Sequence, residues 1–181
     1  TGTGDLAIAL ASIPSATITG IDIAVEMLEI GKKKINQRKL DRKINMIVGD
    51  AESLTVADNT VDVVTVAFGV RNFGNLHNGL SEIFRILKPE GQLFVLETSM
   101  PKNLFFRFGY KIYSSLFLPL VGRLFSSDKN AYGYLSDSAA TFPYGEDFNN
   151  KLRKVGFTNV QDHPQTLGVV TIYQGTKSKD A

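Results

Sequence analysis

The chain begins with a glycine-rich loop directly ahead of an apolar helical pattern. Gly2 and Gly4 stand one residue apart, and the apolar run 6–11 follows them. Glycine permits a positive φ and lets a ligand approach the bare backbone. The first N–H groups of the helix that follows have no partner within that helix. The pattern is therefore typical of a loop between a strand and a helix that binds a phosphate or a nucleoside, although no strand pattern precedes it in the sequence.

Strand and helix patterns alternate along most of the chain. Apolar residues at helical spacing predict helices over 5–12, 24–38, 75–88 and 146–155. Apolar or β-branched runs predict strands over 17–22, 44–48, 61–67, 92–97, 158–162 and 168–174. The run 61–67 is nearly all β-branched, which is typical of a strand buried on both faces. The alternation predicts an α/β domain with a doubly wound, mostly parallel sheet.

Composition restricts the class of protein and of site. A chain of 181 residues is long enough for one domain with its own core. The sequence has no cysteine, which excludes disulfides, thiolate metal sites and a cysteine nucleophile, and which fits a cytoplasmic protein. The net charge of +2 gives no indication of a nucleic-acid partner. We expect neither a metal site nor nucleic-acid binding.

Acidic residues stand where two predicted strands end. Asp22 follows the strand 17–22, where a carboxylate binds both hydroxyls of an adenosine ribose. The alternative is that Asp22 caps the helix that starts near Ala24. Asp50 and Ala51 follow the strand 44–48, where a side chain would reach the adenine amino group. Here the alternative is that Asp50 caps a turn.

The glycine loop also satisfies a dinucleotide pattern. Gly2, Gly4 and Ala7 match G-x-G-x-x-A, so an NAD-dependent oxidoreductase is a rival interpretation. That pattern alone is weak. Successive strand ends with polar residues favour a single-nucleoside ligand such as S-adenosylmethionine, whose methionine end would lie at the glycine loop.

Several segments together resemble the ubiquinone/menaquinone biosynthesis C-methyltransferases, a family of class I S-adenosylmethionine-dependent methyltransferases that includes demethylmenaquinone methyltransferases. The glycine loop and the turn 88–91 are shared by many methyltransferases. More specific are Phe68-Gly69-Val70-Arg71-Asn72 and Tyr134-Leu135-Ser136-Asp137-Ser138. The resemblance covers almost the whole chain. It implies one Rossmann-like methyltransferase domain over 1–181, with an antiparallel last strand and a helical lid insertion over about 101–144.

The resemblance also implies a cofactor site and a missing strand. The positions that it assigns to S-adenosylmethionine are Gly2, Thr3, Gly4, Asp22, Asp50 and Ala51. The family has a strand before its glycine loop, which lies in the middle of the sheet, between the strands that here end at Asp22 and Ala67. We therefore expect two sheet halves that face a gap. We also expect either that the chain is part of a longer protein or that something else fills this gap.

The reaction that the resemblance implies is methylation of a ring carbon of a demethylated polyprenyl quinol, either demethylmenaquinol or a ubiquinol precursor. A ring carbon becomes nucleophilic when a neighbouring phenol loses its proton, so the enzyme must position the reactants and stabilise a phenolate. Arg71 is the candidate phenolate partner, and a structural ion pair is the alternative. A guanidinium cannot be the base. Candidates for the base are a bound water, Tyr132, Tyr134 and Asp137.

Further alternatives concern function and location. Another small-molecule methyltransferase and a non-catalytic S-adenosylmethionine-binding module both fit the residues. The aromatic segment 101–125 is interpreted either as a lid or as an amphipathic surface that contacts the inner face of a membrane. Charged residues interrupt its apolar stretches too often for a transmembrane helix. The oligomeric state, including a homodimer, stays open.

Overall fold

The computed structural model describes residues 1–101 and 142–179. Its helices are α1 (Asp5–Leu10), α2 (Val25–Gln37), α3 (Leu76–Ile86) and α4 (Glu146–Val155). Its strands are β1 (Ile18–Asp22), β2 (Ile44–Val48), β3 (Val61–Ala67), β4 (Leu87–Thr98), β5 (Phe157–Gln165) and β6 (Val170–Lys177). Short 3₁₀ turns cover Val70–Asn72 and Thr166–Gly168. The order confirms the α/β prediction, whereas the predicted lid falls almost entirely outside the described residues.

The strands form two sheets. β1 and β2 pair in parallel, and the larger sheet has the order β3-β4-β6-β5. β3 and β4 are parallel, while β6 runs antiparallel to both of its neighbours, β4 and β5. The prediction of a mostly parallel sheet with an antiparallel last strand is confirmed.

The two sheets carry separate hydrophobic cores. One cluster, over β1 and β2, includes Ala7, Leu28, Ile35, Ile44 and Met46. The other, over β3 to β6, includes Leu80, Leu93, Val95, Phe148, Leu152 and Tyr173. In the part of the chain that the structure describes, no ladder joins β1 to β3. This division matches the expectation of two sheet halves.

The prediction that β3 is buried on both faces is wrong. β3 is an edge strand of the four-stranded sheet, and Val63 on it is 49% exposed. The β-branched composition of the run indicates strand propensity correctly, but burial depends on the neighbouring strands. Within the described ranges, β4 is the only strand that pairs with β3.

The boundary between α3 and β4 also differs from the prediction. The helix ends at Ile86 instead of 88, and β4 begins at once with Leu87. Residues 88–91, predicted as a turn, form an irregularity within β4, since Val61 pairs with Leu87 and Val63 with Gln92. Pro89 cannot continue a helix. Gly91 is required at this kink because a Cβ there would lie 2.7 Å from the Lys88 carbonyl oxygen.

Candidate functional site

The glycine loop has the backbone form that its sequence predicts. Gly2 and Gly4 have φ of 57° and 77°, in the left-handed region that favours glycine. Gly4 is also the residue that caps the start of α1. A Cβ at Gly2 would meet nothing within 4 Å, whereas one at Gly20, in β1, would lie 2.6 Å from the Met46 sulfur. The space beside Gly2 is therefore accessible to a ligand.

Asp22 joins this loop to the ends of β1 and α2. Its Oδ2 accepts hydrogen bonds from the Thr1 nitrogen at 2.8 Å and from the Gly2 N–H at 2.6 Å. Its Oδ1 accepts from the Ala24 N–H at 3.0 Å, at the residue that caps α2. Burial alone would raise the pKa of Asp22, but these hydrogen bonds outweigh burial and lower it. Asp22 therefore caps the start of α2, which was the alternative interpretation from the sequence. The same carboxylate also binds the glycine loop.

Thr3 belongs to a charged cluster beside α1. Its hydroxyl donates to Asp5 at 2.8 Å and accepts from the Lys34 ammonium group at 2.8 Å. Lys34 also pairs with Asp5 at 2.8 Å, and the hydrogen bond from Lys34 is the main cause that lowers the pKa of Asp5. No sequence pattern distinguished Lys34, because it is one of three successive lysines in α2 and lies 31 residues from Thr3.

Asp50 and Ala51 lie in a turn after β2, close to the end of β1. The Gly49 N–H donates to the Asp22 carbonyl oxygen at 3.1 Å, which fixes the two strand ends side by side. Asp50 accepts from the Glu52 N–H at 2.9 Å, so it caps its own turn. Asp50 is exposed and Ala51 is half-buried. Both are therefore placed at the edge of the sheet where Asp22 also lies.

Glu52 forms contacts that the sequence did not predict. Its two carboxylate oxygens accept from the Gly74 N–H at 2.6 Å and from the Asn75 N–H at 3.0 Å. Asn75 caps the start of α3. Glu52 thus connects the turn after β2 to the segment after β3 and fixes the position of that segment across the division between the sheets.

Arg71 lies in the 3₁₀ turn after β3 and forms a buried ion pair with Glu97 of β4. Its Nη1 lies 2.8 Å from Glu97 Oε2, and the side chains are 9% and 0% exposed, respectively. Glu97 also accepts from the Arg71 backbone N–H at 3.4 Å and from the Thr98 N–H at 3.1 Å. The structural ion pair that the sequence left as an alternative is therefore present.

One donor of Arg71 has no partner among the described residues. Its Nε–H is buried and makes no hydrogen bond within residues 1–101 and 142–179. Buried donors are normally satisfied, so an orphan at a candidate site indicates a missing acceptor. The guanidinium carbon lies 5.6 Å from the centre of the Phe68 ring. Phe68 is 41% exposed and has a φ of 54°, which is strained for a non-glycine residue.

The sequence around Glu97 contains a pattern that indicates a buried, paired charge. Glu97 ends an otherwise apolar stretch, residues 93–96, inside the second sheet. A charged residue in a buried strand needs a partner. The pattern could not name that partner, because Arg71 is 26 residues away in the sequence.

A cavity of about 380 Å³ begins two residues beyond Glu97. Its walls come from the end of β4, the start of α4 and the turn between β5 and β6, and its lining includes Ser99, Met100, Tyr144, Pro164, Leu167 and Thr171. Ser99 donates to the Gly168 carbonyl oxygen at 2.8 Å and lies 2.8 Å from the Thr171 hydroxyl. The wall is mostly apolar, although Glu146 and Asp162 also line it.

The other candidate residues fall elsewhere. The candidate bases Tyr132, Tyr134 and Asp137 lie outside the described residues. The two histidines of the sequence, His77 and His163, are both exposed. Residues 1–101 and 142–179 contain no group of three or more His, Asp or Glu side chains that could hold a metal ion. None of the helices in those ranges has the length and apolar character needed to cross a membrane.

Two solved structures that share the fold are described as methyltransferases. The chain is similar to an S-adenosyl-L-methionine-dependent methyltransferase, so described, from Methanococcus maripaludis (TM-score 0.67, 22% identity, 98% of this chain and 74% of that chain). It is also similar to phosphoethanolamine N-methyltransferase 2 of Haemonchus contortus in complex with S-adenosyl-L-methionine (TM-score 0.70, 14% identity, 98% and 47%). At these identities the likeness shows the shared fold.

Sequence comparisons identify the family. A ubiquinone/menaquinone biosynthesis C-methyltransferase, UbiE, of Geotalea daltonii is 43% identical over 179 residues, which cover 98% of this chain and 76% of the relative. A demethylmenaquinone methyltransferase of Bacteroides fragilis is 41% identical over 178 residues, covering 98% and 73%. The family described as the ubiE/COQ5 methyltransferase family matches residues 1–177. The chain therefore belongs to the ubiE/COQ5 methyltransferase family.

Proposed function

We propose that the protein transfers a methyl group from S-adenosylmethionine to a ring carbon of a demethylated polyprenyl quinol. Family membership supports the methyltransferase class, and the names of the relatives point to quinone biosynthesis. Family membership also favours S-adenosylmethionine over NAD as the ligand of the glycine loop. The structural observation that carries the proposal is Arg71, a buried cation with an unpartnered donor at the end of β3.

The residues at the carboxyl ends of β1 and β2 fit the cofactor. The space beside Gly2 admits a ligand to the backbone. A carboxylate has about four acceptor sites, and three hydrogen bonds are accounted for at Asp22, which leaves acceptor capacity for a ribose hydroxyl. Ile23, next to it, is an exposed apolar side chain, and Asp50 and Ala51 lie on the adjacent strand end. When bound, S-adenosylmethionine supplies an electrophilic methyl group on a sulfonium centre.

Arg71 supports the proposed chemistry on the acceptor side. Its buried guanidinium would stabilise the oxygen of a quinol that has lost its proton, and the charge on that oxygen makes the adjacent ring carbon nucleophilic. The Nε–H would donate directly to this oxygen. The mostly apolar cavity beyond Glu97 has room for the part of the substrate away from the reacting carbon.

Replacing Arg71 tests this function. The Arg71→Lys variant keeps a positive charge but loses the planar fork of donors. We expect kcat for a short-chain demethylmenaquinol to fall about 100-fold, with S-adenosylhomocysteine binding unchanged by calorimetry. Arg153→Lys is the matched control, because Arg153 forms an exposed ion pair with Glu146 on α4. Turnover of Arg71→Lys at the wild-type rate would exclude the proposed role.

Peripheral membrane contact is a separate proposal that rests on the sequence of 101–125, outside the described residues. Basic residues spaced among aromatic ones favour an interfacial surface. We expect co-sedimentation with vesicles of anionic phospholipid, and weaker co-sedimentation after charge reversal at Lys102, Arg107 and Lys111. Absence of vesicle binding at low salt would contradict this proposal without affecting the methyltransferase one.

A further inference from the structure

We propose that Glu97 is a positioning residue that sets both the orientation and the effective charge of Arg71 toward the substrate oxygen. The inference rests on the proposed role of Arg71 and extends it to a residue that would not touch the substrate. Its basis is the geometry of the pair: a fully buried carboxylate in β4 against a guanidinium that is nine-tenths buried.

Glu97 contacts Arg71 at two places. One carboxylate oxygen accepts from the guanidinium Nη1 and the other lies 3.4 Å from the backbone N–H of the same residue. The Thr98 N–H holds the carboxylate itself at 3.1 Å. Arg71 is thus fixed at both ends of its side chain, with the Nε–H left unpartnered among the described residues. This arrangement leaves the Nε–H as a buried donor without an acceptor among the described residues.

The charge of Glu97 has a second consequence. An unpaired buried guanidinium would stabilise a quinolate so strongly that less electron density would remain on the ring carbon. With Glu97 in contact, the pair has no net charge, so it favours loss of the quinol proton less strongly and leaves the oxyanion more nucleophilic. Removal of the carboxylate charge should therefore lower the pKa of the bound phenol and slow methyl transfer at the same time.

A purely structural pair predicts a different result. If Glu97 only joins the turn after β3 to β4, its loss should reduce stability and leave the ionisation of a bound phenol unchanged. The two accounts are separated by a spectroscopic titration of 2-methyl-1-naphthol, whose ring carbon next to the hydroxyl is already methylated. Its absorbance distinguishes the naphthol from the naphtholate. The titration uses the full chain saturated with S-adenosylhomocysteine, so that no turnover occurs.

We expect Glu97→Gln to lower the midpoint of this titration by about one pH unit relative to wild type, because one charge is removed a few ångströms from the oxygen. We also expect kcat for a demethylated quinol to fall at least about tenfold. Glu97→Asp keeps the charge and moves it by one methylene, so its midpoint should stay near wild type while kcat falls. Lys177→Met is the matched control for loss of a buried ion, because Lys177 contacts Asn59 and the end of α3.

The outcomes separate the two proposals. A midpoint in Glu97→Gln equal to that of wild type would overturn the role of Glu97. If Glu97→Gln does not fold, wild-type kcat in Glu97→Asp would overturn it instead. If wild type itself shows no turnover of quinols, or binds the naphthol with the midpoint it has in water, the proposed function of Arg71 fails first.

Discussion

At the scale of single residues, the site depends on carboxylates that bind more than one group. Asp22 holds the glycine loop and the start of α2, Glu52 connects two segments, and Glu97 holds Arg71. The strand pattern predicted Asp22 as a site residue, and the resemblance predicted Arg71. Neither predicted the contact of Asp22 with Gly2 or that of Arg71 with Glu97, since these pairs are separated by 20 and 26 residues and depend on how the strands pack.

Asp22 should contribute to stability in a pH-dependent way. Its pKa is lowered below the ordinary 3.8, so its contribution is present above that value and is lost as pH falls through the folded-state pKa. We expect Asp22→Asn to lower the free energy of unfolding by about 1–2 kcal/mol at pH 7 and by less at pH 3. Urea denaturation of both proteins at the two pH values measures this. An equal difference at both values would contradict the assignment.

At the scale of elements, close packing fixes α3 above the second sheet. Leu80, Ile83 and Ile86 of α3 are buried. The sequence did not predict how the turn before α3 packs against it. Phe73, just after the 3₁₀ turn, lies against Gly79, where a Cβ would come within 2.3 Å of the ring. Such a contact depends on tertiary packing, as does the irregularity within β4.

Gly79→Ala should therefore be destabilising even though alanine is the better helix former. Overpacking against Phe73 costs about 1–3 kcal/mol, and the gain in helix propensity offsets at most about 1 kcal/mol of it. Thermal unfolding should show a lower Tm for Gly79→Ala. Asn78→Ala, at an exposed position of the same helix, is the control and should not lower Tm. A Tm for Gly79→Ala at or above wild type would show that Phe73 can move without cost.

At the scale of the whole molecule, the separation of the two hydrophobic cores is the main structural feature. The alternation of patterns predicted the α/β class, and the resemblance predicted the two sheet halves. The resemblance also placed β3 beside the missing strand, and β3 is an edge strand in the structure, whereas its β-branched composition had favoured burial on both faces. Asp22 ends a strand of one half and Arg71 follows a strand of the other, so the proposed site would include residues from both halves.

This division predicts that the two sheets, each with its own hydrophobic cluster, unfold locally and independently of each other. Among the described residues, the cluster over β1 and β2 has fewer buried apolar residues than the cluster over β3 to β6. We therefore expect the amides of β1 and β2 to exchange through an opening of lower free energy than those of β4 and β6. Native-state hydrogen exchange followed by mass spectrometry measures both. Equal protection in all four strands would indicate one cooperative unit.

The central claim is that the protein methylates a ring carbon of a quinol, and the most direct measurement identifies the atom that receives the methyl group. The assay combines the protein, S-adenosylmethionine with a ¹³C-labelled methyl group, and a short-chain demethylmenaquinol. Carbon NMR of the extracted product should show the label as a methyl group bonded to an aromatic carbon. A label bonded to oxygen, or no transfer to the quinol, would contradict the account.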